Sequence, residues 1–536
     1  MLDFLIFNIP KMDLRAPSIA LGLLKATTEH DGFKSRAYDL NIDLWRMMIK
    51  DGYGHWWSYS DWTLVDQKLL NENWHILEPY VRKCLEENVV PHNPKVVGMS
   101  VFSFLQYYAL EKIALLLREY LPNARFMIGG PGISIRNKPV CEEWFAKLKE
   151  SNAINDWMFG ESDFIMSDYL AGKERPGINN WEKDPRTTVM RLVKPDYSDM
   201  DFSKYPKKHL RFDIDGPGPN KWAYITGSRG CVRKCTFCDV QSFWPEFKTK
   251  SGKFIAEEMI DANRNYGIKK FKFTDSLLNG NLGILKEKCE TLKEHGYLKS
   301  NDERELEWHG QWICRNRKQI SPEFHDLLAD AGLGMVGIGI ESGSEKVRYH
   351  MKKKFDNESL YYTLEQFERT NVLVVALMMI GYPTETEEDF QETLLLLERL
   401  AKMKNVCDVN VNNPTRILPG SPLGDDPDHF GIQYTQLIED KDFTASWWYG
   451  DNDYATRIER FYRFHHKMIE VGLKKSYADD SQDKYMKEYI EIKNDPAMVK
   501  IMKEVHEYGK EKIINIDNDI RDKKAEQSRE VLGLGH

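Results

Sequence analysis

Three cysteines within eight residues carry the strongest chemical signal in this 536-residue sequence. They have the spacing Cys231-x3-Cys235-x2-Cys238, whereas the other five cysteines lie singly. For a chain with eight cysteines, chance would produce this spacing roughly 0.002 times. Thiolates are soft ligands that suit zinc and iron–sulfur clusters. The triplet therefore predicts a metal centre that takes three protein ligands from one loop.

Two kinds of centre fit three thiolates. Structural zinc and ordinary iron–sulfur clusters take four protein ligands, so a zinc site here would need a distant fourth ligand such as His309. The usual zinc pattern repeats a close cysteine pair, and the sequence has no second pair. A cubane cluster on three cysteines instead leaves one iron open to a small chelating molecule. The spacing favours the cluster.

Composition and charge exclude several classes of protein. The chain has 83 acidic and 75 basic residues and a net charge of −8, so we expect no nucleic-acid partner. Apolar residues make up 41% of the chain, which is ordinary for a globular protein. No run of about 18 apolar residues is present, so we expect no membrane span. The opening MLDFLIFNIP reads as a buried strand rather than a signal peptide, which predicts a cytoplasmic protein.

The first third of the chain alternates short apolar strands with helices. Strands are predicted at 2–7, 34–40, 96–100, 126–128 and 157–159. This alternation predicts an α/β, doubly wound, Rossmann-like domain over residues 1–171, with ligands beyond the carboxyl ends of its strands. Residues 41–90 form a tryptophan-rich helical insertion, which either packs as core or covers a pocket. Residues 172–220 are predicted to be a linker.

A second alternation predicts a partial (β/α)6 barrel over residues 221–417. Its strands are predicted near 222–226, 270–274, 307–313, 335–340, 373–380 and 409–413. In such barrels the reactive groups stand where strands end and loops begin. The cysteine triplet follows the first of these strands directly. Residues 418–536 are predicted to be a mainly helical cap.

The residues Gly230-Cys231-x3-Cys235-x-Phe237-Cys238 at the end of the first barrel strand resemble the radical S-adenosylmethionine (SAM) superfamily. The resemblance implies a [4Fe–4S] cluster on the three cysteines, whose open iron is chelated by SAM. It also implies reductive cleavage of SAM to a 5′-deoxyadenosyl radical. An external electron donor of flavodoxin or ferredoxin type is implied as a partner.

The resemblance extends to the ends of later strands, at 273–276, 339–344 and 379–386. The residues it assigns to SAM binding are Phe237, Asp275, Ser276, Arg315, Glu341, Ser342, Ile380 and Gly381. Structural interpretations stay open for three of them. Gly381 also suits an ordinary strand-to-helix turn, Glu341 a buried hydrogen-bonded carboxylate, and Phe237 simple core.

A doubly wound domain before such a barrel resembles the cobalamin (B12)-binding class of the superfamily. The stretches PSIALG, VVGMSVFS, IGGPGIS and FGESD carry this resemblance. It implies cobalamin contacts at Ser100, Ser103, Gly129 and Gly130. The Asp-x-His-x-x-Gly ligand motif is missing, so any cobalt would bind without a histidine from it. The alternative is a domain that keeps the fold and binds no corrinoid.

The predicted function is cobalamin-dependent methylation of an unactivated carbon in a small-molecule or peptide substrate. The first alternative is a radical SAM cyclase, oxidase or rearrangement enzyme that transfers no methyl group. The second is a non-catalytic corrinoid or iron–sulfur sensor. Methylthiotransferase chemistry is less favoured, because a second cluster would need more N-terminal cysteines than Cys84 and Cys141.

Overall fold

The computed structural model describes residues 2–58, 61–206, 221–298, 305–411, 413–434 and 447–473. The described chain divides into two compact units. The first comprises the residues up to 227 together with 248–274, and the second comprises 228–247 and the residues from 275 onward. The predicted cap beyond residue 473 and the end of the predicted linker at 207–220 lie outside the described residues.

A five-stranded parallel sheet lies at the centre of the first unit. Its strands are β1 (Phe4–Asn8), β2 (Ser35–Tyr38), β3 (Val96–Ser100), β4 (Arg125–Gly129) and β5 (Asp156–Trp157), in the order β2-β1-β3-β4-β5. Every residue of β1 and β3 is buried, as expected for parallel strands covered on both faces. The doubly wound prediction is confirmed. The order is the flavodoxin-like one, in which the ligand crevice opens between β1 and β3.

Six helices accompany this sheet. They are α1 (Ile19–His30), α2 (Leu40–Lys50), α3 (Gln67–Asn88), α4 (Tyr107–Tyr120), α5 (Lys138–Glu150) and α6 (Ser162–Leu170). The predicted strand at 34–40 ends earlier, at Tyr38, because the Asp39 carboxylate accepts a hydrogen bond from the Ile42 amide and caps α2.

The tryptophan-rich insertion contains α2 and α3, and three of its tryptophans pack in the core. Trp45, Trp56 and Trp57 are buried. The indole N–H of Trp57 donates to Asn41 Oδ1 at 2.7 Å, which satisfies the one polar atom of this ring. These contacts favour the packing interpretation for the three residues, whereas Trp62 is half exposed.

The described part of the predicted linker packs within the first unit. Lys25 Nζ of α1 lies 3.0 Å from an Asp196 carboxylate oxygen and 2.9 Å from an Asp199 carboxylate oxygen. The Tyr205 hydroxyl donates to the buried Asp39 carboxylate at 2.5 Å. The described linker is therefore tied by polar contacts to α1 and to Asp39, the residue that caps α2.

A six-stranded sheet follows along the chain. Its strands are β6 (Trp222–Ile225), β9 (Lys270–Phe273), β10 (Glu307–Trp312), β11 (Leu333–Glu341), β12 (Leu373–Met378) and β13 (Val406–Asn410), in the order β13-β12-β11-β10-β9-β6. The paired registers are parallel. Two short pairs accompany it, β7 (Ser228–Arg229) with β8 (Lys248–Thr249) and β14 (Gln433–Tyr434) with β15 (Trp447–Trp448). The predicted succession of six βα units is confirmed.

The helices of this region separate the strands along the chain. They are α7 (Val240–Phe243), α8 (Gly252–Tyr266), α9 (Leu282–Glu294), α10 (Pro322–Asp330), α11 (Glu345–His350), α12 (Asn357–Arg369), α13 (Glu387–Leu400), α14 (Pro422–Asp425) and α15 (Tyr454–Glu470). The last strand begins earlier than predicted. The side-chain amide of Asn405 donates to the Val372 carbonyl at 2.9 Å and so joins the start of β13 to the start of β12. Within the described ranges, the helices are all too short or too polar to cross a membrane.

Candidate active site

The cysteine loop lies between β7 and α7 in the second unit. Gly230, just before it, has a φ of 80°, and a Cβ there would overlap the Glu246 carbonyl oxygen, so only glycine fits. The Arg233 amide donates to the Cys231 sulfur at 3.4 Å. All three thiols are partly exposed. The loop therefore presents three sulfurs with one of them already accepting a backbone hydrogen bond.

Thr236 fixes this loop to three other segments. Its amide donates to the Met351 carbonyl at 3.2 Å, and its carbonyl accepts from the Leu423 amide at 2.9 Å. Its hydroxyl lies 2.8 Å from the Tyr382 hydroxyl, which in turn donates to the His350 carbonyl at 3.2 Å. Sequence reasoning missed Thr236 and Tyr382, because neither is a metal ligand or a strand-end carboxylate.

The donor set of the loop fits an iron–sulfur cluster. Among the described residues, no group of three or more histidine, cysteine, aspartate or glutamate side chains is gathered closely enough to hold one metal ion, and this holds for the three loop cysteines too. A zinc ion would need His309 as its fourth ligand. The Nε2 atom of His309 instead lies 2.6 Å from Glu307 Oε1, so Glu307 already pairs with this imidazole. Burial raises the pKa of the Cys235 thiol, and it raises that of Cys238 to about 12. Cluster assembly must therefore displace protons from these thiols.

Two arginines near Cys231 offer unsatisfied donors. Arg315 follows β10, and its guanidinium donates through Nη2 to the Asn279 carbonyl at 2.9 Å. The Nε atoms of Arg315 and Arg233 are buried without a hydrogen-bond partner among the described residues. Burial lowers the pKa of Arg315, Arg233 lowers it further, and Cys231 opposes the shift. Orphaned guanidinium donors beside the cysteine loop suit a carboxylate such as that of SAM.

Glu341 ends β11 beside a buried lysine. Its Oε1 accepts a hydrogen bond from Lys353 Nζ at 3.0 Å. A Cβ on Gly339 would lie 2.7 Å from that oxygen and 2.8 Å from that nitrogen, so the glycine makes room for the ion pair. Glu341 is thus hydrogen-bonded, as its structural interpretation predicted, and it keeps partial exposure that leaves it open to a ligand.

The Ser342 side chain forms hydrogen bonds within the protein. The residue is fully buried. Its hydroxyl accepts from the Ser344 amide at 3.1 Å and lies 3.3 Å from the Thr393 hydroxyl. Its carbonyl accepts from the Arg348 guanidinium at 2.6 Å. The predicted SAM contact of this side chain stays a prediction, and its observed role is to hold the turn after β11.

Asp275 and Ser276 follow β9, as predicted. The Asp275 carboxylate is buried and accepts from the Ser228 hydroxyl at 2.5 Å. Ser228 lies three residues before Cys231, so Asp275 supports the base of that loop. Ser276 is partly exposed. Phe237 lies in the loop itself and packs against a core cluster that includes Tyr382 and Trp447.

The segment after β12 is covered by the C-terminal part of the described chain. Gly381 has a φ of 78°, and a Cβ there would overlap the Arg457 side chain of α15. The Asn452 amide donates to the Tyr382 carbonyl at 2.7 Å. Ile380 is buried, and its carbonyl accepts from the Thr415 amide at 2.9 Å. The structure therefore gives Gly381 a packing role that the sequence prediction did not include.

The residues predicted to contact cobalamin lie at the carboxyl edge of the five-stranded sheet. The Ser100 carbonyl accepts from the Ile9 amide at 3.0 Å. The buried side chain of Gln106 accepts from the Ser103 amide at 3.1 Å and donates to the Ile9 carbonyl at 2.6 Å. The loops after β1 and β3 are thus joined at the switch point between these strands.

Gly129, the last residue of β4, and Gly130, which follows it, differ in role. A Cβ on Gly130 would lie 2.5 Å from the Val101 carbonyl oxygen, so the chain itself requires glycine there. A Cβ on Gly129 would have its nearest neighbour at 3.5 Å, an ordinary contact. The apolar side chains of Phe102 and Ile135 are exposed near this edge, at 61% and 39%. An exposed apolar edge suits a flat, largely apolar ring.

Comparison with known proteins relates the cysteine loop and the strands that follow it to a family. Residues 225–397 match the model of the radical SAM superfamily. The anaerobic magnesium-protoporphyrin IX monomethyl ester cyclase of Synechocystis is 21% identical over 302 residues, which cover 53% of this chain and 55% of the cyclase. The chain spans about half the length of such curated relatives.

Two solved structures share the fold. The radical SAM methyltransferase TsrM from Kitasatospora setae, solved with cobalamin and a [4Fe–4S] cluster bound, gives a TM-score of 0.54 at 16% identity and covers 82% of this chain and 81% of its own. The cobalamin-dependent SAM radical enzyme OxsB gives 0.55 at 13% identity, covering 99% and 80%. The family match includes the cysteine loop and strands β9 to β12, so residues 225–397 of this chain belong to the radical SAM superfamily.

Proposed function

We propose that this radical SAM enzyme uses cobalamin to methylate an unactivated carbon of a small molecule or peptide. The observation that carries the proposal is the flavodoxin-like sheet, with Phe102 exposed in the loop after β3, in the same chain as the cysteine loop. Ligands of such sheets bind at the switch point, here between β1 and β3. The fold likeness to a cobalamin-bound methyltransferase supports the proposal.

Membership of the superfamily implies a [4Fe–4S] cluster and SAM. When bound, the cluster would supply the electron for reductive cleavage of SAM. Cys231, Cys235 and Cys238 would hold this cluster through their thiolates. Thr236 holds the loop that carries them through its bond to Tyr382.

The residues around the loop would bind and orient SAM. Arg315 and Arg233 would offer their unsatisfied N–H groups to its carboxylate. Glu341 would accept hydrogen bonds from its amino group while keeping Lys353 as a partner. The SAM carboxylate would thus face the two arginines and its amino group would face Glu341. Two fixed partners of opposite charge restrict the orientation of SAM before the cluster is reduced.

The first unit would hold cobalamin, whose chemistry when bound is methyl donation. Ser100, Ser103 and Gly129 lie where the ligand edge opens, and Phe102 would pack against the ring. No histidine of the Asp-x-His-x-x-Gly pattern is present in the sequence, so the proposal includes a cobalt without that ligand.

A radical SAM cyclase without methyl transfer is the second candidate, and the partial resemblance to a cyclase favours it. Methylthiotransfer is not supported by Cys84 and Cys141, since both thiols are buried in α3 and α5. A sensor that only binds a corrinoid or a cluster would not need orphaned arginine donors beside the cysteine loop.

Anaerobic reconstitution with iron, sulfide, hydroxocobalamin, SAM and dithionite tests the proposal. Mass spectrometry should detect 5′-deoxyadenosine, and the protein should retain corrinoid absorbance after gel filtration. S-adenosylhomocysteine should accumulate as methyl groups leave SAM. If 5′-deoxyadenosine forms while the protein retains no corrinoid and no S-adenosylhomocysteine accumulates, the cyclase class is favoured instead. Loss of both products with an intact cluster would reject enzymatic SAM cleavage.

A further inference from the structure

Lys353 is a buried lysine between two exposed ones. Lys352 and Lys354 both have a φ of 57°, and both side chains are exposed, whereas Lys353 is buried. Left-handed backbone at residues with side chains costs free energy and persists only where the surrounding structure holds it. The turn after α11 therefore uses strained backbone to place one ammonium group inside the protein.

The surroundings of this ammonium connect it to the cysteine loop. Lys353 Nζ lies 3.0 Å from Glu341 Oε1 and 5.8 Å from the centre of the Phe237 ring. Phe237 stands between Cys235 and Cys238 in the loop. Gly339 leaves the space that the ion pair occupies. A buried charge is costly unless it is compensated, so this arrangement is a built feature rather than a chance surface contact.

Lys353 carries its charge at neutral pH. Burial lowers its pKa, but attraction to nearby acidic groups, first among them the Glu341 carboxylate, outweighs burial and raises the pKa above the ordinary value. Phe237, whose ring centre lies 5.8 Å from this ammonium, is two residues from Cys235 and adjacent to Cys238. The positive charge therefore lies beside the loop that carries the three cysteines.

We propose that Lys353 is a positioning residue that raises the reduction potential of the cluster on Cys231, Cys235 and Cys238. This inference rests on the proposed function, since it requires that cluster. Reduction adds one electron, and so one negative charge, to the cluster. A fixed positive charge nearby stabilises the reduced state, most effectively where water is excluded. Glu341 opposes this effect, and outer partners of this kind tune metal centres.

The test is a redox titration of the reconstituted protein. The cluster is titrated with dithionite against redox dyes, and the reduced fraction is followed by electron paramagnetic resonance. In Lys353→Met, the ratio of reduced to oxidised cluster at a fixed potential should fall about tenfold, which is about 59 mV for one electron. Lys352→Met and Lys354→Met remove equal charges from exposed positions, where water and salt screen them, and should change the ratio by less than about twofold.

Glu341→Gln separates charge from packing. It removes the carboxylate beside the same lysine, so an electrostatic effect predicts the opposite shift, toward easier reduction. A packing defect would move both variants in the same direction. Equal midpoints for the wild-type and Lys353→Met proteins, or shifts of one sign in Lys353→Met and Glu341→Gln, would overturn the inference. If Lys353→Met fails to hold a cluster, the sign of the Glu341→Gln shift decides the inference. A wild-type protein that assembles no cluster would refute the proposed function instead.

Discussion

The hydroxyl of Thr236, in the middle of the cysteine loop, lies 2.8 Å from the hydroxyl of Tyr382, which follows β12. The two residues are 146 positions apart in the chain. Both are buried, so neither hydroxyl can replace this partner with bulk water. The bond couples the position of the cysteines to the end of another strand, and the cluster site therefore depends on residues that carry no cluster chemistry.

Removing the Tyr382 hydroxyl should loosen the cysteine loop. Tyr382→Phe removes the hydroxyl that pairs with the buried Thr236 hydroxyl and donates to the His350 carbonyl. Leaving a buried polar group without its partner lowers the free energy of unfolding by about 1–3 kcal/mol. Urea unfolding should show this loss, and iron content after reconstitution should fall. Tyr349→Phe is the matched control, because Tyr349 is 80% exposed. Equal stability and iron content in the two variants would contradict the proposed anchoring role.

Loss of a loop cysteine should abolish the cluster. Cys235→Ala leaves two thiolate ligands, so iron and sulfide per chain should drop to background and 5′-deoxyadenosine should not form. Cys407→Ala removes a thiol that is also partly exposed, and this control should keep both. Iron and sulfide analysis with product mass spectrometry gives the answer. Undiminished deoxyadenosine from Cys235→Ala would refute the assignment of the loop.

Arg315 should contribute to SAM affinity. Arg315→Gln removes a charged donor from the site, and hydrogen bonds to charged groups contribute about 1.5–3 kcal/mol, so SAM binding should weaken by at least about tenfold. Equilibrium dialysis with labelled SAM on the reconstituted protein measures this. Arg317→Gln changes an exposed arginine two residues away and should bind SAM normally. Similar dissociation constants for the two variants would remove Arg315 from the site.

The contact between Gly381 and Arg457 should make Gly381 intolerant of substitution. Gly381→Ala combines an unfavourable positive φ, about 1–2 kcal/mol, with overlap on Arg457, about 1–3 kcal/mol. Gly450 also has a positive φ, of 54°, but no atom lies within 4 Å of its Cβ position. Gly450→Ala should therefore lose only the backbone part. Denaturant midpoints compare the two, and equal losses would mean that α15 does not press on Gly381.

Stability should depend on pH through Glu385. Burial raises the pKa of this carboxyl to about 7, partly opposed by Arg460 and by the Gly381 amide. Between about pH 4.5 and 7 the folded protein keeps a proton that the unfolded chain has released, so stability falls as pH rises. The full effect is at most about 3 kcal/mol. Glu385→Gln cannot titrate, so its stability relative to wild type should increase from pH 5 to pH 7 in urea unfolding. A constant difference would contradict the raised pKa.

The sequence alone determined the order of the elements and predicted a cluster on the cysteine loop. Cysteine spacing is a local property of the chain, and strand and helix periodicity are local too, so the α/β alternation and the positions of Asp275 and Glu341 at strand ends were predictable, whereas the cluster ligands stay a prediction. The family resemblance rested on the same local motifs.

Only the tertiary structure decided which strand-end residues have internal partners. The sequence predicts ligand contacts for Ser342 and Gly130. In the structure the Ser342 hydroxyl lies 3.3 Å from the Thr393 hydroxyl, and the Val101 carbonyl lies close against Gly130. In the sequence Lys353 does not differ from its neighbours Lys352 and Lys354. In the structure the left-handed backbone at these neighbours turns Lys353 into the interior. The reason is physical, because burial and hydrogen bonding join residues distant in the chain, and no local pattern encodes which distant group arrives.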